Sequence, residues 1–245
     1  MFFKSIAIVL LLKAVAVQVN GIPLRVVGPG EGSPDEIKRV KDATADAHGL
    51  VEKMETVHAA AQAGDAGAMA KVRGAFGVAP NMAGIGTNIQ TLKGGKFKMG
   101  EAKNPNMLGP GAYNPNTDKV ELGSGFHLGT TPEQRAGQIL HESSHAVLGT
   151  KDVFNKHGQP TDQQKATNAG DKTGYRDSNL EEMKSNPAFS QNLHQNADSW
   201  RVFGDLCRRE LERRAYEETD LVKVSSSLFF ALFRFLFLTI LFSFL

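Results

Sequence analysis

Cysteine is almost missing from this chain: Cys207 is the only one among 245 residues. An internal disulfide is therefore excluded, and the fold has to rest on its core. With 41% hydrophobic and 22% charged residues, the composition suffices for one substantial globular domain. An excess of one charge is missing too. The 28 basic residues stand against 26 acidic ones, a net charge of +2, so composition gives no reason to expect a nucleic-acid partner. No internal repeat is present. Cys207 follows Asp205 and Leu206 in a segment that reads as helical, as a buried or idle thiol rather than a nucleophile.

Long apolar runs stand only at the two ends. Lys4 precedes an apolar stretch from Ile6 to Leu12, followed by small and polar residues. Residues 1–21 thus read as a secretory signal peptide, being too short to span a bilayer as an anchor, and a secreted, extracellular protein is expected. At the other end, residues 228–245 are apolar except for Arg234, Thr239 and Ser243, the lower limit for a membrane helix. Arg208, Arg209, Arg213, Arg214 and Lys223 precede it on the side a signal peptide would send outward, against the positive-inside tendency. A glycolipid signal lacks its polar spacer after Ser225 to Ser227. The 225–245 tail is read either as membrane-associating or as a mis-predicted end of the gene product.

Residues 22–224 make one domain of ordinary size, its first part, 22–75, helical and reminiscent of a pro-segment. Ser33 as N-cap, Pro34, Asp35 and Glu36 open one or two amphipathic helices, with Gly49 a possible break. Ala66 to Ala75 continues as a short helix before a loop-rich segment to Gly95. His48 and His58 lie off any ligand spacing and read as surface or packing residues, while His157, able to serve as a ligand, reads as solvated. Short alternating pieces at Lys96 to Gly100 and Lys119 to Gly123, with a turn at Asn114 to Asp118, read as a small twisted sheet. Thr131, Pro132, Glu133 and Gln134 form a capping-box start, and Gly149 is the stop of that helix. A polar surface excursion follows Phe154. A short helix is expected near Ser178, then a longer one capped by Asn186 with an apolar stripe of Phe189, Leu193, Ala197, Trp200 and Phe203.

Within the capped helix stands QILHESSHAVLGTKDVF. Residues four apart share a helix face, so His141 and His145 can offer two imidazoles to one metal ion. Glu142, turned about 100° away, can reach a water molecule without ligating the metal. A catalytic zinc uses three protein ligands and one open position, and Asp152 is the first carboxylate after the helix able to fold back. The chemistry is metal-assisted hydrolysis with Glu142 as general base. The plain alternative is a polar surface helix on which the HExxH spacing arose by chance.

HESSH followed by GTKD (Gly149 to Asp152) resembles the aspzincin metallo-endopeptidases, the deuterolysin and peptidyl-lysine metallopeptidase group, whose signature is HExxH followed by GTxD. Asn196-Ala197-Asp198-Ser199 resembles the NADS motif on that family's later helix, and the likeness spans about residues 114–207. The resemblance implies an α+β, zincin-like fold, mainly helical with a small twisted sheet and an HExxH active-site helix. It implies one Zn2+ per chain on His141, His145 and Asp152, and a peptide or protein substrate cut by a monomer. It further implies an edge strand at residues 119–126, with Glu121 and Leu122 pairing with the substrate backbone. The family's oxyanion-stabilising tyrosine, three residues after the aspartate, is Asn155 here, and Tyr175 is the nearest substitute. Asp198 matches an acidic pocket position for substrate, but Arg201 stands where a second acid is expected, which argues against lysine specificity. The family's disulfides are absent. A zinc-holding secreted binding protein of the same fold, without catalysis, is the alternative function.

Overall fold

Ser33 starts the longest of the described helices through a reciprocal pair: its Oγ accepts from the Glu36 N–H at 3.3 Å, while the Glu36 carboxylate accepts from the Ser33 N–H at 2.9 Å. Helix α1 then runs unbroken from Pro34–Gln62. Of the two possibilities, one helix or two, the chain takes one, with no break at Gly49. Ala47, Leu50, Val51 and Met54 are all buried around it, and their burial outweighs a glycine's cost of about 1 kcal/mol in a helix. Helix α2, Ala66–Phe76, follows on an Asp65 cap.

The loop-rich segment expected up to Gly95 is instead largely helix α3, Met82–Lys93, capped by Asn81. Its glycines mark close approach rather than turns. A Cβ on Gly86 would sit 2.9 Å from the His58 ring, and His58 reaches the Met82 carbonyl at 2.9 Å. His58 is thus a packing residue, as is His48, whose Nδ1 accepts from the Leu24 N–H at 3.2 Å.

The computed structural model describes residues 24–28, 31–162, 167–175 and 177–209; the signal-like residues 1–21 and the apolar tail 225–245 lie outside them. Strands β1 (Arg25–Val27), β2 (Lys96–Met99), β3 (Gly111–Asn114) and β4 (Lys119–Leu122) form a sheet in the order β1-β2-β4-β3. The first two pairings are parallel, and β3 with β4 is an antiparallel hairpin. The edge strand expected at residues 119–126 is therefore corrected. Strand β4 is hydrogen-bonded on both sides, residues 124–127 turn into a short helix α4 (Ser124–His127), and the edge beside β4 is β3, with β1 at the opposite edge.

Helix α5, Pro132–Leu148, begins on the Thr131–Gln134 capping box and ends at Gly149, which takes the left-handed conformation at φ 69°. It packs against α1 and α3 on one side and against β2, β3 and β4 on the other. Ala136, Ile139 and Leu140 enter the core, so the polar face of the same helix is turned toward β3.

The polar excursion after Phe154 is partly ordered into a second sheet of β5 (Val153–Phe154), β6 (Pro160–Thr161) and β7 (Lys172–Thr173), in the order β6-β5-β7. Helix α6, Asp177–Ser185, is the short helix expected there. The single long helix expected from Asn186 is broken. Asn186 caps only one turn, α7 (Pro187–Ser190), and after the 3-10 turn Leu193–Gln195 a new helix, α8, covers residues 197–209. The apolar stripe is nevertheless buried throughout. Trp200 and Phe203 meet Phe76 edge to face at 5.1 and 5.3 Å, the geometry aromatic pairs prefer. Cys207 is buried and free, and burial pushes its thiol up to about 12. The fold is α+β, with helices dominating and two small sheets.

Candidate metal centre

His141 and His145 stand one turn apart on α5, their ring centroids separated by 5.0 Å. Each ring is oriented from behind. His141 Nδ1 lies 3.2 Å from Asp198 Oδ1, and His145 Nδ1 lies 2.7 Å from the Thr150 carbonyl. Thr150 is itself tied to α5 by a 2.8 Å hydroxyl pair with Ser144. Fixing one nitrogen of an imidazole leaves the other to face a ligand. Both Nε2 atoms accordingly point at Asp152, at 3.7 Å from Oδ1 for His141 and 3.0 Å from Oδ2 for His145.

These three residues can hold a metal ion, since one donor atom from each lies within 4.8 Å of the others. The chemistry of the set agrees, as two imidazoles and a carboxylate are a three-ligand zinc set with one position left. Asp152 Oδ1 is buried without any hydrogen-bond partner, a costly state for an acceptor unless a cation satisfies it. Burial alone would raise the Asp152 carboxyl, but the hydrogen bond from His145 and the nearby imidazoles hold it below the ordinary carboxylate range. Burial alone would likewise lower His141, yet Asp198, Glu142 and Asp152 outweigh it and favour its protonated form. The negative charge that would keep a proton there is equally suited to a metal ion.

Glu142 lies at the floor of a cleft of about 1020 Å³. It is buried, its Oε1 accepts from Gln138 Nε2 at 2.6 Å, and it stands 4.0 Å from His141 Nε2. Gln138, one turn earlier on the same face, escaped the sequence reading; its i to i+4 spacing from Glu142 was the available signal. So did Tyr113 of β3, which stacks on His145 with centroids 6.2 Å apart.

Tyr175 does come to the site. Its hydroxyl donates to Asp152 Oδ2 at 2.5 Å and its ring stacks on His141. Burial and the Asp152 charge hold the phenol well above its ordinary pKa, so it keeps its proton. Asn155 turns away and accepts the backbone N–H groups of His157 and Gln159 in its own turn.

Of the three expected substrate contacts, Asp198 lines the cleft, whereas Glu121 and Leu122 are not among its lining residues. Leu122 is fully buried beneath the sheet, and the Glu121 carboxylate accepts from Asn104 at 3.0 Å; β3 separates both from the cleft edge. Asp198 is buried with both oxygens engaged. Oδ1 meets His141 and accepts from Arg201 Nε at 2.7 Å, while Oδ2 accepts from Arg201 Nη2 at 3.0 Å. Burial alone would raise its pKa, but those bonds pull it down to about 2. Asp198 orients His141, and the Arg201 guanidinium is paired with it. No protein-family model, curated protein or solved structure matches the chain.

Proposed function

We propose that this chain is a secreted zinc-dependent metalloendopeptidase with a zincin-like fold, as the HESSH and GTKD resemblance implies. The observation that carries the reading is the convergence of His141 Nε2, His145 Nε2 and a partnerless buried oxygen of Asp152, with the Glu142 carboxylate beside them on the cleft floor. When bound, zinc supplies a Lewis acid that polarises a carbonyl and lowers the pKa of water toward neutrality.

The chain's own groups do the rest. Gln138 donates to Glu142 Oε1 and fixes the carboxylate, which takes the proton of the attacking water and later passes it to the leaving amine nitrogen. Tyr175, protonated and within the cleft, donates its hydroxyl to the developing oxyanion after leaving Asp152. The peptide substrate lies along β3, the edge strand beside β4, whose Gly111, Ala112 and Tyr113 line the cleft. An extended backbone pairing there gains affinity from main-chain hydrogen bonds.

The test is metal content and cleavage of a mixed peptide library by the wild type and Glu142→Ala. Both proteins should hold about one zinc per chain, and cleavage should fall by roughly 10²–10⁴-fold in the variant. Zinc bound with no cleavage by either protein would sink the enzyme and leave the zinc-holding binding protein.

A further inference from the structure

We infer that Asn196 is the positioning residue that locks Asp152 and Tyr175 to one another and to the helix behind His141, an inference that rests on the metal-binding reading of the site. Asn196 is fully buried at the start of α8. Its Oδ1 accepts from the Ser199 N–H at 2.9 Å and from the Ser199 hydroxyl at 3.1 Å, the ordinary work of an N-cap. Serine or aspartate would do that equally well. Asparagine adds a donor on the same side chain, and here Nδ2 donates to the carbonyl of Lys151 at 3.3 Å, the residue before Asp152. The backbone reinforces the link. The Lys151 N–H donates to the Gln195 carbonyl at 2.8 Å, and the Ala197 N–H to the Lys151 carbonyl at 3.4 Å.

The same amide nitrogen abuts Gly174. A Cβ built on Gly174 would fall 1.9 Å from Asn196 Nδ2, far inside any allowed contact. Gly174 is not among the positive-φ glycines, so the amide, not the backbone, excludes a side chain there. The Gly174 N–H donates to the Asp152 carbonyl at 2.7 Å, and the next residue is Tyr175. One buried amide therefore holds the backbone just before Asp152 and packs against the residue just before Tyr175, which itself bonds the Asp152 carbonyl. It also starts the helix on which Asp198 orients His141.

The test uses the full-length chain loaded with cobalt(II) or zinc. Asn196→Ser keeps a capping oxygen but loses the reach to Lys151. Gly174→Ala presses a methyl group into the amide. Each should weaken zinc affinity by roughly 10–100-fold, as loss of groups supporting metal ligands does, and should change the visible cobalt absorption that reports ligand geometry. The melting temperature of Asn196→Ser should stay near that of the wild type. In the double variant the methyl occupies space the amide has vacated, so its loss of affinity should be smaller than the product of the single losses. Wild-type affinity and cobalt spectrum in Asn196→Ser would overturn the inference, as would losses that simply multiply. A wild-type chain that takes up no cobalt or zinc overturns the metal reading itself, a result distinct from either.

Discussion

Helix α5 carries His141, Glu142 and His145 on a rod fixed at both ends, whereas Asp152 and Tyr175 arrive on a polar segment whose strands are two residues long. The helix buries Ala136, Ile139 and Leu140 against α1, α3 and the main sheet. Among the described residues, the later segment contributes only two large hydrophobic side chains, Val153 and Phe154, to the fully buried interior before Leu180, and is held otherwise by hydrogen bonds and ion pairs. One half of the site is thus as stable as the core. The other is held locally, the kind of region that opens without global unfolding. The residues that could hold a metal span both halves, so a bound ion would tie the weaker half to the stronger and stabilise by mass action.

The comparison breaks most directly at Leu140. It is fully buried beside His141, and Leu140→Ala should cost about 2–5 kcal/mol of global stability, read by denaturant unfolding. A loss confined to hydrogen exchange in residues 150–175 would mean that the helix is not the core-coupled half. Tyr175→Phe probes the opposite half. With a half-exposed ring, the variant should melt close to the wild type, while kcat falls by roughly 10²–10³-fold, the usual effect of deleting an oxyanion donor. Unchanged kcat would remove Tyr175 from the chemistry.

Gly149 is the joint between the halves. At φ 69° and ψ 26° it ends α5, and the next residue, Thr150, supplies the carbonyl that orients His145. No atom would obstruct a Cβ there, so Gly149→Ala tests backbone strain alone. It should cost about 1–2 kcal/mol and weaken zinc affinity through His145. Full stability with full zinc affinity would show that the halves need no flexible joint.

The same contrast governs what could be read in the sequence. Both capping boxes and the spacing of His141 and His145 are local patterns of three and four residues, which helix geometry makes legible. Tyr175 was found only as the nearest tyrosine, because the second sheet that carries it rests on pairings of two-residue strands. The sequence suggests the other arm of the β3–β4 hairpin as the edge. Which arm lies outside depends on β4 pairing in parallel with β2, a long-range choice with no local signature. Helix α3 was hidden by Gly84 and Gly86, which serve packing against His194 and His58. Asp198 was recognised as a motif residue, but its partners, His141 and Arg201, could be assigned only once α8 was seen to lie behind α5.

The two capping boxes also separate by pH, and this is the smallest effect expected. Helix α5 closes its box with Gln134, which carries no titratable group, whereas α1 uses Glu36. The hydrogen bonds from Ser33, and then Lys103, lower the Glu36 carboxyl from its ordinary 4.5 to about 2. A depressed folded-state pKa means that the contribution is complete above about 4.5 and disappears as pH falls toward about 2. Amide exchange at the start of α1 should therefore accelerate across that window; at α5 the titrating group is Glu133, beside the box rather than in it, whose carboxyl the Thr131 hydrogen bond also lowers. In Glu36→Gln, which keeps an acceptor for the Ser33 N–H, the acceleration at α1 should vanish. If it persists unchanged, another carboxylate governs the acid response, and the box of α1 is no more pH-sensitive than the one that starts the HESSH helix.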